Sequence, residues 1–276
     1  MWNRFMNAER DARVALPTLA LCILLGGCAS GTATPEATPA ASPAAADLPM
    51  TAKTAENNVA QAAYWGGIYE TQPESRDATL NYGRSLRYSG NVQKAVKVLA
   101  GGVAAHADDG ELLAEYGKAL IAAGRTLEGR DYLAEANKRK PGNWTNLSAE
   151  GVAYDQLGDH ANAQTRYEAA LKASPNNPAI LNNWALSYAL IGDITSAERL
   201  LRQAVANPAA GVQVRQNLAL VLGIQGDFVE ARRYAAADLP PEVVEGNIDY
   251  IKAMIAGAAP SSPWSELESL DNETTP

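Results

Sequence analysis

Groups capable of covalent or metal chemistry are few in this 276-residue chain. Its cysteines are Cys22 and Cys28, and its histidines are His106 and His160. A reactive thiolate needs a cation or base beside it, and a structural zinc needs four N or S ligands at short spacings. Both cysteines precede Ala29, and the two histidines stand far apart, each at an expected helix end or turn where an imidazole is a surface group. No G-x-S-x-G, H-E-x-x-H or Walker-type glycine loop occurs, and the carboxylates scatter over expected solvent faces. The sequence therefore predicts no enzyme, no metal, no cofactor and no small-molecule substrate. The net charge of −8, without a basic block, also argues against a nucleic-acid partner.

Cys28 is the exception, because of its setting. Arg4, Arg10 and Arg13 precede an apolar run from Val14 to Leu25, and Leu25-Gly26-Gly27-Cys28 follows. That order is the order of a secretory signal peptide. As a helix the run would span about 18 Å, short of the roughly 30 Å hydrocarbon core, so it does not read as a permanent span. Its end resembles the bacterial lipobox, which implies removal of residues 1–27 and lipidation of Cys28. An ordinary signal peptide with an incidental cysteine is the alternative; Glu9, Asp11 and Pro17 depart from the pattern, and Met6 is a second candidate start. Three acyl chains, at about 0.8 kcal/mol per buried CH₂, would make the anchor effectively permanent. Ala29 stands where an aspartate would, by the same resemblance, favour the inner membrane, which implies an outer-membrane lipoprotein facing the periplasm. Residues 28–54, rich in Ala, Pro and Thr, read as a tether.

The elements of the body come from a repeat. From about Arg76 a helix-turn-helix pattern returns every 34 residues. Counting Trp144 as position 1, Gly151 falls at position 8, Tyr154 at 11, Gly158 at 15, Ala163 at 20, Tyr167 at 24, Ala170 at 27 and Pro175 at 32. This unit resembles the tetratricopeptide repeat at each of those positions, while Glu150 departs from it at position 7, where a bulky apolar residue is usual. One period later come Trp184, Ala185, Tyr188, Gly192, Ala197, Leu201 and Ala204, with Pro208 one residue early; one period earlier come Tyr116, Gly117, Leu120, Gly124, Gly129, Leu133, Ala136 and Pro141. The outer units are looser: Gly83, Leu86, Gly90, Ala95 and Leu99 in one, and Ala219, Leu222, Gly226 and Ala231 in the other.

Small residues at positions 8 and 20 allow two antiparallel helices to approach, and glycine at 15 supplies the left-handed residue that ends the first helix. Asp159 and Asp193 are then placed to cap the second helix. One unit cannot bury its apolar face alone, so the units must stack. The predicted fold is an all-α tetratricopeptide-repeat superhelix of five to six units over residues 55–256. Asn57 to Thr71 reads as the second helix of a degenerate first unit, with Tyr64, Trp65 and Tyr69 at core spacing. Pro240-Pro241 opens a capping helix through about Ile255, with Val244, Ile248, Ile251 and Ile255 facing the last repeat. Residues 257–276 read as a disordered tail, in which Trp264 is either a docking anchor or a residue that folds back.

The concave surface of such a stack is lined by the first helix of each unit. Its candidate peptide-binding residues are Ser148, Val152, Asp155, Asn182, Asn183, Ser187, Gln216, Asn217 and Leu220. An asparagine amide can donate to and accept from an extended backbone at once. Asn183 and Asn217 both stand at position 6, however, where the repeat pattern itself often carries asparagine, so a purely structural role is the competing reading. Asn143-Trp144-Thr145 and Asn146-Leu147-Ser148 match glycosylation triplets, and we read them as a repeat junction.

One block is more specific than the repeat. The run Val214-Arg215-Gln216-Asn217-Leu218-Ala219-Leu220-Val221-Leu222-Gly223, then Gln225-Gly226-Asp227-Phe228, then Asp238-Leu239-Pro240-Pro241 with Asn247 and Tyr250, resembles the C-terminal signature of the TadD family. Supporting segments are Tyr116 to Leu120 and Leu157 to Gln164. The resemblance implies a tetratricopeptide lipoprotein of the tight-adherence (Tad/Flp) pilus apparatus. Such a protein would act beside the outer-membrane secretin as a pilotin-like or scaffolding subunit in assembly of type IVb pili. Its partners would be protein subunits of the pilus machine, and the membrane through the N-terminal lipid. A periplasmic adaptor that recruits cell-wall enzymes is the alternative.

Overall fold

A computed structural model of the chain describes residues 55–257; the segments expected to be signal peptide and tether, with Cys28, and the tail with Trp264 lie outside them. The described residues form twelve helices and no strand. In chain order these are α1 (Ala55–Thr71), α2 (Arg76–Tyr88), α3 (Val92–Ala105), α4 (Gly110–Ala122), α5 (Thr126–Arg139), α6 (Trp144–Gln156), α7 (His160–Ala173), α8 (Pro178–Leu190), α9 (Ile194–Val205), α10 (Val212–Ile224), α11 (Phe228–Ala235) and α12 (Pro241–Ile255). Helices α2 to α11 pair into five units. Each helix packs on the next in sequence, and the first helix of each unit also packs on the first helix of the following unit. The first helices thus form a continuous inner layer.

The 34-residue period is visible in the caps. The first helices begin after Ser75, Asp109, Asn143, Asn177 and Gly211, and the first four of these accept backbone N–H bonds through their side chains. The two triplets near Asn143 therefore mark a helix start, as the junction reading expected. Within each unit the turn carries a glycine at positive φ: Gly90, Gly124, Gly158, Gly192 and Gly226, all between 78° and 87°. The second helices start after Asn91, Arg125, Asp159, Asp193 and Asp227. The three aspartates accept from the residue three further on, whereas Asn91 and Arg125 do not cap.

Packing follows the same spacing. Position 24 is Leu99, Leu133, Tyr167, Leu201 and Ala235, each almost completely buried. Fully burying a side chain the size of leucine contributes roughly 1.5–3 kcal/mol, so in each of the first four units this position adds about that much to the cohesion of the pair. The approach of the two helices is closest in the second unit. A methyl group on Gly117 would lie 2.7 Å from the carbonyl oxygen of Gly129, and one on Gly129 would lie 2.5 Å from that of Gly117. Here backbone meets backbone, and no side chain fits between.

Three local expectations need correction. Tyr64 is 52% exposed, because α1 turns Trp65 and Tyr69 toward α2 instead, where Tyr69 meets Tyr82 at 5.5 Å between ring centroids. Ile255 is 39% exposed at the end of α12, past the point where that helix covers the last unit, while Val244, Ile248 and Ile251 are buried as expected. Glu150 is buried at the apolar position 7, with its carboxylate 3.2 Å from Arg166 Nε. Burial pushes its carboxyl above the ordinary range in spite of Arg166.

Candidate peptide-binding surface

Polar groups on the inner layer join neighbouring first helices to one another. Asn217 on α10 donates through Nδ2 to Asn182 Oδ1 on α8 at 2.7 Å, and Asn183 donates to Ser148 Oγ on α6 at 3.1 Å. Ser187 Oγ on α8 donates to Asp155 Oδ1 on α6 at 2.8 Å. Each of these bonds crosses from one unit to the next.

Burial sorts the nine candidates. Ser187 and Asn217 have 0% exposure, and Ser148 and Asn182 are also buried, so these four present nothing to a ligand in this arrangement. Their competing reading, as structural joints, matches what they touch. Asp155 also turns inward, with its side chain 7% exposed. Asn183, Val152, Gln216 and Leu220 keep partly exposed surface. Gln216 leans toward the loop before α12, reaching the Ala235 carbonyl at 3.3 Å and Asp238 at 3.4 Å. Among the candidates on α6 and α10, Val152 and Leu220 are therefore the ones that leave aliphatic surface open.

Asp155 is a hub that the sequence did not reveal. Its Oδ1 lies 2.8 Å from His160 Nδ1, and its Oδ2 accepts from the Tyr167 hydroxyl at 2.9 Å. Burial pushes the Asp155 carboxyl up, opposed by the bonds from His160, Ser187 and Tyr167. Burial and the nearby carboxylate also push the Tyr167 phenol well up. His160 is thus tied to a neighbour, not free at the surface. Ser187 donates to Asp155 and makes no bond to His160, so hydroxyl and imidazole share an acceptor and do not form a nucleophile–base pair.

The first two units carry a different chemistry at the same helical positions. Arg84 and Arg87 on α2, with Lys118 on α4, converge on Glu115 at 3.6, 2.9 and 3.1 Å. The Glu115 side chain is 6% exposed. Burial would raise its pKa, but Lys118, Arg87 and Arg84 outweigh that and hold the carboxyl well below the ordinary range. The Arg87 Nε is buried and has no hydrogen-bond partner. These residues stand one or two periods before Val152, Asp155 and Asn183, and that spacing was the signal available in the sequence. Asp77 and Glu111, the acids at the starts of α2 and α4, are held by Arg76 at 2.9 and 2.6 Å.

Residues 80–143 and 148–211 match the family model of the tetratricopeptide repeat. Among solved structures, a thermophilic TPR protein of Thermus thermophilus is similar with a TM-score of 0.56 at 20% identity, covering 67% of this chain and 98% of that one. A tetratricopeptide repeat protein from Parabacteroides merdae gives 0.56 at 15% identity, covering 78% and 92%. The APC/C hetero-tetramer Cut9–Hcn1 gives 0.60 at 12% identity, covering 79% of this chain and 46% of that one. At such identities the likeness is one of fold. No curated protein matches the chain. The fold is a tetratricopeptide-repeat superhelix, an architecture whose extended concave surface serves protein–protein interaction.

Proposed function

We propose that this chain is a membrane-tethered scaffold that holds an extended segment of a pilus-machine subunit in its inner groove, without chemistry of its own. The observation that carries the binding role is the continuous inner layer of first helices, with Val152 and Leu220 left open on it. The Tad/Flp assignment is supported by the C-terminal block. Arg215, Gln216 and Asp238, separated in that block by a whole helix, come together in the structure as one bonded cluster. Lipidation of Cys28 would fix the chain to the outer membrane, residues 28–54 would give it reach, and the superhelix would raise the local concentration of its partner near that membrane.

Crosslinking in intact cells followed by mass spectrometry tests the assignment. Recovery of the secretin or other pilus subunits is expected; recovery of cell-wall enzymes alone would replace this reading with the adaptor. Loss of pili in a Cys28→Ala variant that still accumulates in the periplasm is the expected sign of the anchor's role, and normal piliation would sink it.

A further inference from the structure

The cluster on α2 and α4 holds more positive charge than it uses. Arg84, Arg87 and Lys118 share a single carboxylate, Glu115, while Arg76, at the start of α2, is shared by Asp77, Asp109 and Glu111. Three cations packed together repel one another and attract further anions, most strongly where water is partly excluded. The side chains of Arg87 and Lys118 are 16% exposed and that of Arg84 is 33% exposed, and Arg84 and Lys118 stand at the repeat position that Val152 occupies on the inner layer. A second carboxylate arriving here would meet charge that Glu115 alone does not neutralise.

The chain itself supplies the matching segment. Beyond Gly257 the sequence carries Trp264, Glu266, Leu267, Glu268, Leu270, Asp271 and Glu273, with no Lys, Arg or His between residues 258 and 276. The order of its chemistry matches that of the groove read from the C-terminal end. The aliphatic surface of Leu220 and Val152 comes first, and the cationic cluster comes after it. The lengths also agree. Helices packed about 8–10 Å apart place α4 roughly 32–40 Å from α12, through α10, α8 and α6. An extended chain covers about 3.3 Å per residue, so Leu270 reaches roughly 43 Å from Gly257 and Glu273 roughly 53 Å.

We propose that the segment from Trp264 to Glu273 lies in the inner groove of its own chain, with Asp271 and Glu273 at Arg84, Arg87 and Lys118 and with Trp264 on the aliphatic stretch near Leu220. The tail then competes with any foreign segment for the groove. This holds whether or not the partner is a pilus subunit.

The test places a benzoylphenylalanine photocrosslinker at Leu270 of the full chain and maps the products by mass spectrometry. The expected result is a crosslink within one chain to peptides from α2 or α4, lost when Glu266, Glu268, Asp271 and Glu273 are all changed to lysine. Those changes lie outside every described helix and leave the repeat contacts untouched. Arg84→Glu, which keeps Arg87 and Lys118 on Glu115, should also weaken the crosslink. A product joining two chains, a product with another protein, no product at α2 or α4, or a yield unaffected by charge reversal would each overturn the proposal.

Discussion

The Arg215 guanidinium grips the Asp238 carboxylate through two bonds, Nε to Oδ2 at 2.7 Å and Nη2 to Oδ1 at 2.6 Å, and also reaches the Ala210 carbonyl at 3.0 Å. The pair ties the start of α10 to the loop that launches α12. It is also the main cause of a depressed Asp238 pKa. A planar fork makes this possible, and a lysine has only a point charge to offer. Arg215→Lys should therefore cost about 1.5–3 kcal/mol, the worth of hydrogen bonds to a charged group. Hydrogen exchange should show the amides of α12 losing protection before those of α2 to α9; uniform loss along the array would contradict this.

Gly117 and Gly129 set the spacing of α4 and α5 by backbone contact. Gly117→Ala forces the two helices apart and should destabilise by about 1–3 kcal/mol, as overpacking does. Gly101, exposed in α3 with nothing within 4 Å of a new methyl group, is the control. There alanine should stabilise by up to about 1 kcal/mol through helix propensity. Thermal midpoints moving in opposite directions are the expected readout.

Glu115 makes the first inter-unit joint sensitive to acid. Its folded-state pKa lies below the unfolded value, so its stabilisation is complete above the ordinary carboxylate range and is lost as pH falls through and below about 4.5. Glu115→Gln should cost about 3–5 kcal/mol at neutral pH, as expected when one partner of a buried ion pair is removed. The variant should also lose less further stability on acidification than the unmodified chain. Denaturation followed from pH 7 to pH 3 would check both, and parallel pH profiles would refute the assignment.

Asp155 carries the opposite sign. Its carboxyl is raised above the ordinary 3.8, so the folded state binds the extra proton and this group's contribution falls as pH rises through that window. Asp155→Ala should remove that dependence while costing about 1–3 kcal/mol at neutral pH, because the Ser187 and Tyr167 hydroxyls lose their buried acceptor. Ser187→Ala in the same background should then cost little more, since the bond is already gone. Urea denaturation of the single and double variants across pH 3 to 7 is the measurement.

The repeat was legible because caps, turns and small residues recur in register. Ser75, Asp109, Asn143 and Asn177 could each be found by stepping 34 residues. The inner surface was harder to read. A period gives the angle at which a side chain leaves its helix, but not how near the neighbouring helix stands at that angle. Ser187 and Asn217 point the expected way and meet another unit there. The cationic cluster was readable in principle, since Arg84 and Lys118 occupy the position of Val152 in earlier units; the aliphatic residue of the most regular unit masks it. The bond from Asp155 to His160 has no periodic counterpart, so only the structure reveals it.

The seam along the inner layer changes character from one end to the other. Between the first two units it is ionic, at Glu115; at the next junction Ala149 occupies position 6 and offers no polar group; beyond that it combines amide and hydroxyl bonds at Ser148, Asn182, Asn183 and Asn217 with the Ser187 bond to the Asp155 carboxylate. Regarded as a spring, the molecule therefore has unequal coils. Falling pH should loosen the inner joint at Glu115 and leave the amide joints at Asn182, Asn183 and Asn217 unchanged, so under acid a pull along the array would be taken up first at its N-terminal end.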